Sequence, residues 1–152
     1  MNILKDEYII VEIIPTSLDP KRGNIIEMSA LKLKGLKLQD RFNYRLEEEL
    51  VFPKEFLKLT SYDKDKFTYL KSTKAILKEF ATWSNNLPLL IIDNDYTEKY
   101  LQNLTNKKES IFKYLDTKYN DNIIDELKNK YHIEDTNYIV DILYESLIKH
   151  FW

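Results

Sequence analysis

With 152 residues, 43% of them hydrophobic, the chain is large enough for one domain over residues 1–152 and too apolar to be intrinsically disordered. It contains no cysteine and no apolar run of the roughly 20 residues that a membrane span needs, which excludes disulfides and predicts a cytoplasmic protein without membrane contact. The formal net charge of −2 excludes an overall basic surplus, so any binding to nucleic acid must depend on a local basic surface.

The first third of the chain predicts a three-stranded antiparallel meander. Its first strand is a β-branched run typical of a buried central strand, with Glu12 as the one polar interruption. Turn residues then separate the strands, and the third strand alternates with a period of two. The strands are predicted over residues 8–14, 25–33 and 36–46. The third strand is predicted to carry Leu36, Leu38, Phe42, Tyr44 and Leu46 on its apolar face and Lys37, Gln39, Arg41, Asn43 and Arg45 on its polar face.

After an irregular segment at residues 47–67, the sequence predicts helices and one further strand. A first amphipathic helix begins after Ser72, whose hydroxyl is suited to cap it. In the second helix, Asp95 and Glu98 have the spacing of a capping box. The strand is predicted over residues 88–93 and the helices over residues 72–85, 95–104 and 137–151. Residues 109–119 and 122–131 are predicted to be helical or partly so.

The order of these elements predicts the fold class. A strand that follows a helical crossover pairs in parallel with an earlier strand, which gives a mixed sheet flanked by helices. We therefore expect an α/β fold in which a three-stranded antiparallel meander is joined by parallel strands, as in the ribonuclease-H-like architecture. The pattern of elements by itself does not choose this architecture over other α/β folds.

Several motifs occur along the chain in a fixed order. The run EIIPTSLDP at residues 12–20 is similar to D-x-E-T-T-G-L-D-P, and FPKEFLKLTSYDKDKF at 52–67 is similar to P-x-E-F-x-x-L-T-G-I, with Ser61 in place of glycine. LLIIDNDYTEKYL at 89–101 and TNYIVDILYESLIKHF at 136–151 match two later motifs of the same set. Together these motifs resemble the DEDDh group of 3′–5′ exonucleases, the DnaQ-like family with a ribonuclease-H-like fold. The resemblance covers residues 8–151.

This resemblance implies phosphodiester hydrolysis with two divalent metal ions, held by four carboxylates beside a histidine base. The first carboxylate position holds Glu12 and the last holds Asp141, so both remain acidic. The other two acidic positions hold Ile14 and Thr97, and the histidine position holds Thr136. An alkyl group cannot bind a metal ion, and a threonine hydroxyl cannot act as a base near neutral pH. We therefore expect a catalytically degenerate exonuclease-like domain that needs no cofactor.

Three functions are compatible with these residues. The first is a non-catalytic domain that binds a protein partner, not identified by the sequence, or single-stranded nucleic acid. The second is an active 3′–5′ exonuclease that uses Mg²⁺ or Mn²⁺ in a rearranged site, with Asp93, Asp95 or Glu98 replacing a lost acid. The third is a nucleotide-binding or regulatory module. Weak binding of one metal ion by Glu12 and Asp141 is a further alternative, because Mg²⁺ can be held by two carboxylates.

Candidate nucleic-acid contacts come from the third strand and the second helix. Lys37, Arg41 and Arg45 form the most basic local feature, and Tyr96 is an aromatic residue near the cleft. A solvated strand face and a packing role for Tyr96 are the alternatives. The two histidines, His132 and His150, are predicted to be surface or packing residues rather than catalytic bases. The C-terminal aromatic pair, residues 151–152, is a candidate anchor for a protein partner.

Overall fold

A computed structural model describes residues 1–45, 72–136 and 138–152. The exonuclease-like motif at 52–67 and the predicted irregular segment lie outside the described residues. The strands are β1 (Glu7–Pro15), β2 (Ile25–Lys34), β3 (Lys37–Arg45), β4 (Leu89–Ile91) and β5 (Lys108–Ser110). The helices are α1 (Thr73–Ser84), α2 (Thr97–Leu101), α3 (Ile123–Tyr131) and α4 (Ile139–Phe151), with a single 3-10 turn at Ile111–Lys113 in the described parts.

The five strands form one mixed sheet in the order β3-β2-β1-β4-β5. β1, β2 and β3 pair antiparallel, whereas β4 runs parallel to β1 and β5 runs parallel to β4. The α/β class and the predicted combination of a meander with parallel strands are therefore confirmed. The arrangement is consistent with the ribonuclease-H-like architecture.

β5 was not predicted by the sequence pattern. Residues 109–119 were expected to be helical or partly so, but residues 108–110 form the fifth strand and only one 3-10 turn follows. A strand of three residues is too short to show a period of two. The side chain of Ser110 accepts a hydrogen bond from the backbone N–H of Phe112, which starts the turn directly where the strand ends.

Side chains of the central strand alternate between two faces of the sheet, and each face carries its own apolar cluster. One cluster joins Tyr8 and Ile10 to α3 and α4, and the other joins Ile9, Val11 and Ile13 to α1 and α2. Because successive strand residues point to opposite faces, Glu12 lies on the face that α4 covers. This position places the carboxyl group of Glu12 beneath the start of the last helix.

The predicted alternation along the third strand is wrong at one end. In the pairing of β3 with β2 the register shifts by one residue, and Gln39 has no partner in it. Such a bulge changes the face on which the preceding residues lie. Leu36 consequently packs with the cluster under α3 and α4, whereas Phe42 and Tyr44 pack with the cluster under α1. Leu46 lies outside the described residues.

The helix caps confirm one prediction and correct another. The hydroxyl of Ser72 accepts a hydrogen bond from the backbone N–H of Ala75, as predicted for the start of α1. The capping box at Asp95 is wrong, since α2 begins later, at Thr97. The side chain of Asn94 instead accepts hydrogen bonds from the backbone N–H groups of Tyr96 and Thr97. No helix within the described ranges is long and apolar enough to cross a membrane.

The aromatic cluster between α1 and β3 provides a test of the fold. Phe80 is fully buried. The centre of its ring lies 5.4 Å from the ring centre of Phe42 and 5.8 Å from that of Trp83. Phe80→Ala should lower the free energy of unfolding by about 3–5 kcal/mol, because it leaves a cavity. Lys74→Ala, on the exposed side of the same helix, should change it by less than about 0.5 kcal/mol. Urea denaturation measures both, and equal effects would contradict the packing described.

Candidate functional site

Glu12 lies on the central strand, where the N-terminus of α4 crosses the sheet. Its side chain is buried, with 6% of the residue exposed. The backbone N–H of Ile139, the first residue of α4, lies near the carboxyl group and acts to lower its pKa. The second carboxyl oxygen, Oε2, has no hydrogen-bond partner among the described residues. Ser29, directly opposite on β2, is also fully buried, and its hydroxyl likewise has none.

Burial raises the pKa of Glu12 from its ordinary value of 4.5 to about 8, and the neighbouring charge of Glu27 adds to the rise. The Ile139 N–H and the charge of Arg45 oppose it. Near neutral pH this carboxyl group therefore remains largely protonated in the folded protein. A protonated carboxyl group is a poor ligand for a hard cation, because metal binding requires the anionic form.

Asp141, in the first turn of α4, is held by an arginine from β3. Nη2 of Arg41 lies 2.6 Å from Oδ1 of Asp141, and Nη1 lies 3.2 Å from Oδ2. The two groups thus form a bidentate pair, the geometry in which guanidinium and carboxylate bind most strongly. The pair is only partly exposed, with 34% of the arginine side chain and 22% of the aspartate side chain accessible. Its hydrogen bonds raise the pKa of Arg41.

A second arginine of β3, four residues further along the strand, also pairs with a carboxylate. Nε of Arg45 lies 2.6 Å from Oε1 of Glu27 on the adjacent strand. The ring of Tyr138, just before α4, lies 4.5 Å from the guanidinium carbon of Arg45 and 5.9 Å from that of Arg41. These contacts join β2, β3 and α4 in one polar seam. Lys37, the third basic candidate, is exposed at the start of β3.

Ile14, Thr97 and Thr136, the positions predicted to supply no ligand or base, lie on separate segments of the chain. Ile14 is half-buried and pairs with Glu27 in the register of β1 and β2. Thr97 begins α2 and is 1% exposed. Thr136 is exposed, and its hydroxyl donates to the backbone carbonyl of Tyr138 at 2.7 Å. Among the described residues, no hydrogen bond joins either threonine side chain to Glu12.

Of the acids considered as replacements, Asp93 and Asp95 follow β4 and Glu98 lies on α2. Asp93 accepts a hydrogen bond of 2.9 Å from the hydroxyl of Ser110, and Asp95 and Glu98 are exposed. In the part of the chain that the structure describes, no group of three or more acids, histidines or cysteines could hold a metal ion. The described acids therefore do not by themselves supply the several anionic oxygen ligands that a pair of divalent metals requires.

Tyr96 packs against the core, whereas His132 is exposed and His150 is half-buried. Tyr96 is half-buried against the cluster under α1, and burial together with the charge of Glu12 raises its pKa. His132 follows α3 in a left-handed conformation, with φ of 55°. Nδ1 of His150 lies 2.7 Å from the hydroxyl of Tyr131. The aromatic residues at the C-terminus are exposed, Phe151 by 38% and Trp152 by 93%.

Two residues of the site, Glu27 and Ser29, were missed in the sequence. Both lie on β2 at a spacing of two, so they share the face of Leu31 and point toward α4. An acid inside an otherwise apolar strand was the available signal. Its meaning depended on Arg45, which is distant in the sequence and adjacent only in the sheet.

No protein-family profile matches the chain. Over 85 residues, 56% of its length, the chain is 27% identical to a protein named DNA polymerase III PolC-type from Oceanobacillus iheyensis. The chain spans about 6% of the length of that polymerase. The comparison indicates a distant relation to one segment of a DNA polymerase, and the mixed sheet gives an α/β fold that is consistent with the ribonuclease-H-like architecture.

The raised pKa of Glu12 predicts a pH-dependent stability. Between about pH 4.5 and 8 the unfolded chain loses the proton while the folded protein keeps it, so ionisation favours unfolding as pH rises. The stability that protonated Glu12 contributes is therefore fully present below about pH 4.5. As pH rises from there to about 8, the free energy of unfolding falls by up to about 1.4 kcal/mol per pH unit, and above about pH 8 it falls no further on account of Glu12.

Glu12→Gln is neutral at every pH and should remove this decline. Urea denaturation of both proteins at several pH values between about 5 and 8.5 measures the difference. The variant should gain stability relative to the wild type as pH rises, by a few kcal/mol in total. Parallel pH profiles for the two proteins would show that Glu12 ionises normally in the folded state.

Proposed function

We propose that this chain is a catalytically degenerate 3′–5′ exonuclease-like domain that acts by binding and not by hydrolysis. The observation that carries the proposal is the bidentate pairing of Asp141 with Arg41. A carboxylate whose two oxygens both accept from a guanidinium is not available as an anionic metal ligand. The sequence resemblance and the distant similarity to a DNA polymerase III support the exonuclease-like part of the proposal.

The charges around the cleft support the absence of hydrolysis. Asp141 and Glu27 are each neutralised by an arginine, and Glu12 is largely protonated near neutral pH. Two-metal hydrolysis needs the opposite arrangement, a surplus of negative charge that holds two cations beside the scissile phosphate. Without those cations, neither the attacking nor the leaving oxygen is stabilised. Thr136 supplies no base in compensation.

Contact with another protein is the binding mode that the charges favour. The two arginines proposed to meet phosphates are already paired with acids, and the chain as a whole carries a net charge of −2. Phosphate contacts depend on uncompensated positive charge. Binding of single-stranded nucleic acid is the second candidate, favoured by the similarity to a DNA polymerase and by the exposed Lys37.

A nuclease assay tests the proposal directly. Labelled single-stranded DNA and RNA should remain intact with an excess of the protein in Mg²⁺ or Mn²⁺, because the site lacks the ligands for two ions. Gel analysis of the labelled strands measures cleavage. Shortening from the 3′ end that is lost in both Glu12→Gln and Asp141→Asn would establish an active exonuclease with a rearranged site. Lys74→Ala serves as a matched surface control.

A binding assay separates the two modes of contact. Fluorescence anisotropy of labelled single-stranded DNA should show no binding at low salt if the domain contacts protein. Binding that weakens with added salt, and weakens further in Lys37→Gln, would assign the basic strand to nucleic acid instead. Glu7→Gln, at the start of β1, controls for substitution of an exposed charged residue at the edge of a strand.

A further inference from the structure

We propose that Arg41 is a built-in counter-ion that takes the place of a divalent metal at Asp141 and excludes metal ions from the site. The inference rests on the proposed function and extends it by naming the residue that sets the ion selectivity of the cleft. It concerns binding of ions and not catalysis. Its test therefore does not depend on whether the domain cleaves nucleic acid.

The geometry of Arg41 is that of a fixed ligand rather than of a passing surface contact. Both terminal nitrogens reach Asp141, at 2.6 and 3.2 Å. The guanidinium carbon of Arg41 lies 5.9 Å from the centre of the Tyr138 ring, which adds a cation–π contact. Arg41 lies on β3, at the end of the strand order, and reaches Asp141 in the first turn of α4. Two elements distant in the chain are therefore connected by one ion pair.

A second, independent observation is the carboxyl group of Glu12. It lies against the backbone of Ile139, two residues before Asp141, so both acids meet the first turn of α4. Its Oε2 is buried and unpartnered among the described residues. A buried acceptor of this kind is a group that a cation would satisfy. The site thus keeps two metal-binding functional groups, and one of them is occupied by an arginine.

The helix terminus makes the exclusion effective. The first turn of α4 carries a partial positive charge, which favours an anion and disfavours a cation. With Arg41 present, a metal ion at Asp141 would meet a guanidinium and a helix N-terminus together. Without Arg41, the carboxylate of Asp141 would be free and the repulsion would be reduced to the helix terminus. The arginine is therefore expected to decide whether an ion binds.

Titration with Mn²⁺, followed by electron paramagnetic resonance of the free ion, tests this inference. The wild type should show only weak, non-saturating binding. Arg41→Gln should bind one Mn²⁺ at least about tenfold more tightly than the wild type. The double variant Arg41→Gln with Asp141→Asn should return to wild-type behaviour. Lys37→Gln removes the same charge from the same strand and should not bind Mn²⁺ more tightly.

Three results would overturn the inference. One is saturable binding of Mn²⁺ by the wild type that Asp141→Asn abolishes, since Arg41 would then not exclude the ion. Another is an equal gain of binding in Lys37→Gln, which would reflect net charge alone. The third is no gain in Arg41→Gln although circular dichroism shows it folded. Arg41→Met, which keeps the aliphatic stem beside Tyr138, replaces Arg41→Gln in the titration if the glutamine variant does not fold.

Discussion

The packing of α4 across β1 and β2 is the constraint from which the properties of the site follow. It brings the start of a helix over the central strand, where Glu12 lies on the covered face. Burial beneath that helix raises the pKa of Glu12 to about 8 and leaves one of its oxygens without a partner among the described residues. The same helix presents Asp141 to the side, within reach of Arg41 on the edge of the meander.

The acids of this region are balanced inside the protein. Two arginines from one strand neutralise two carboxylates, one on the neighbouring strand and one on α4, and the ring of Tyr138 lies against both guanidinium groups. Partly buried pairs of this kind resist salt better than exposed pairs, because the protein shields them from water and ions. Because arginines already neutralise Asp141 and Glu27, these carboxylates attract external cations only weakly.

The similarity to a DNA polymerase III covers 56% of this chain and about 6% of the polymerase, so it relates one segment and not a whole activity. The fold and the proposed chemistry depend on different residues. The mixed sheet requires apolar residues on both faces of β1, and residues 8–11 and 13 supply them. The proposed chemistry requires acids at particular positions, and an aliphatic residue such as Ile14 supplies no ligand although it is compatible with the strand.

The sequence by itself determined the fold class and the boundaries of most elements, because strand and helix periods are local properties. The absence of a metal ligand at Ile14 and Thr97 and of a base at Thr136 stays a prediction from residue chemistry. Only the tertiary structure decided that Asp141 binds Arg41, because the two lie 100 residues apart and meet only through the packing of α4 against the sheet. The short β5, the bulge in β3 and the cap at Asn94 were likewise decided by pairing and hydrogen bonds that no local period encodes.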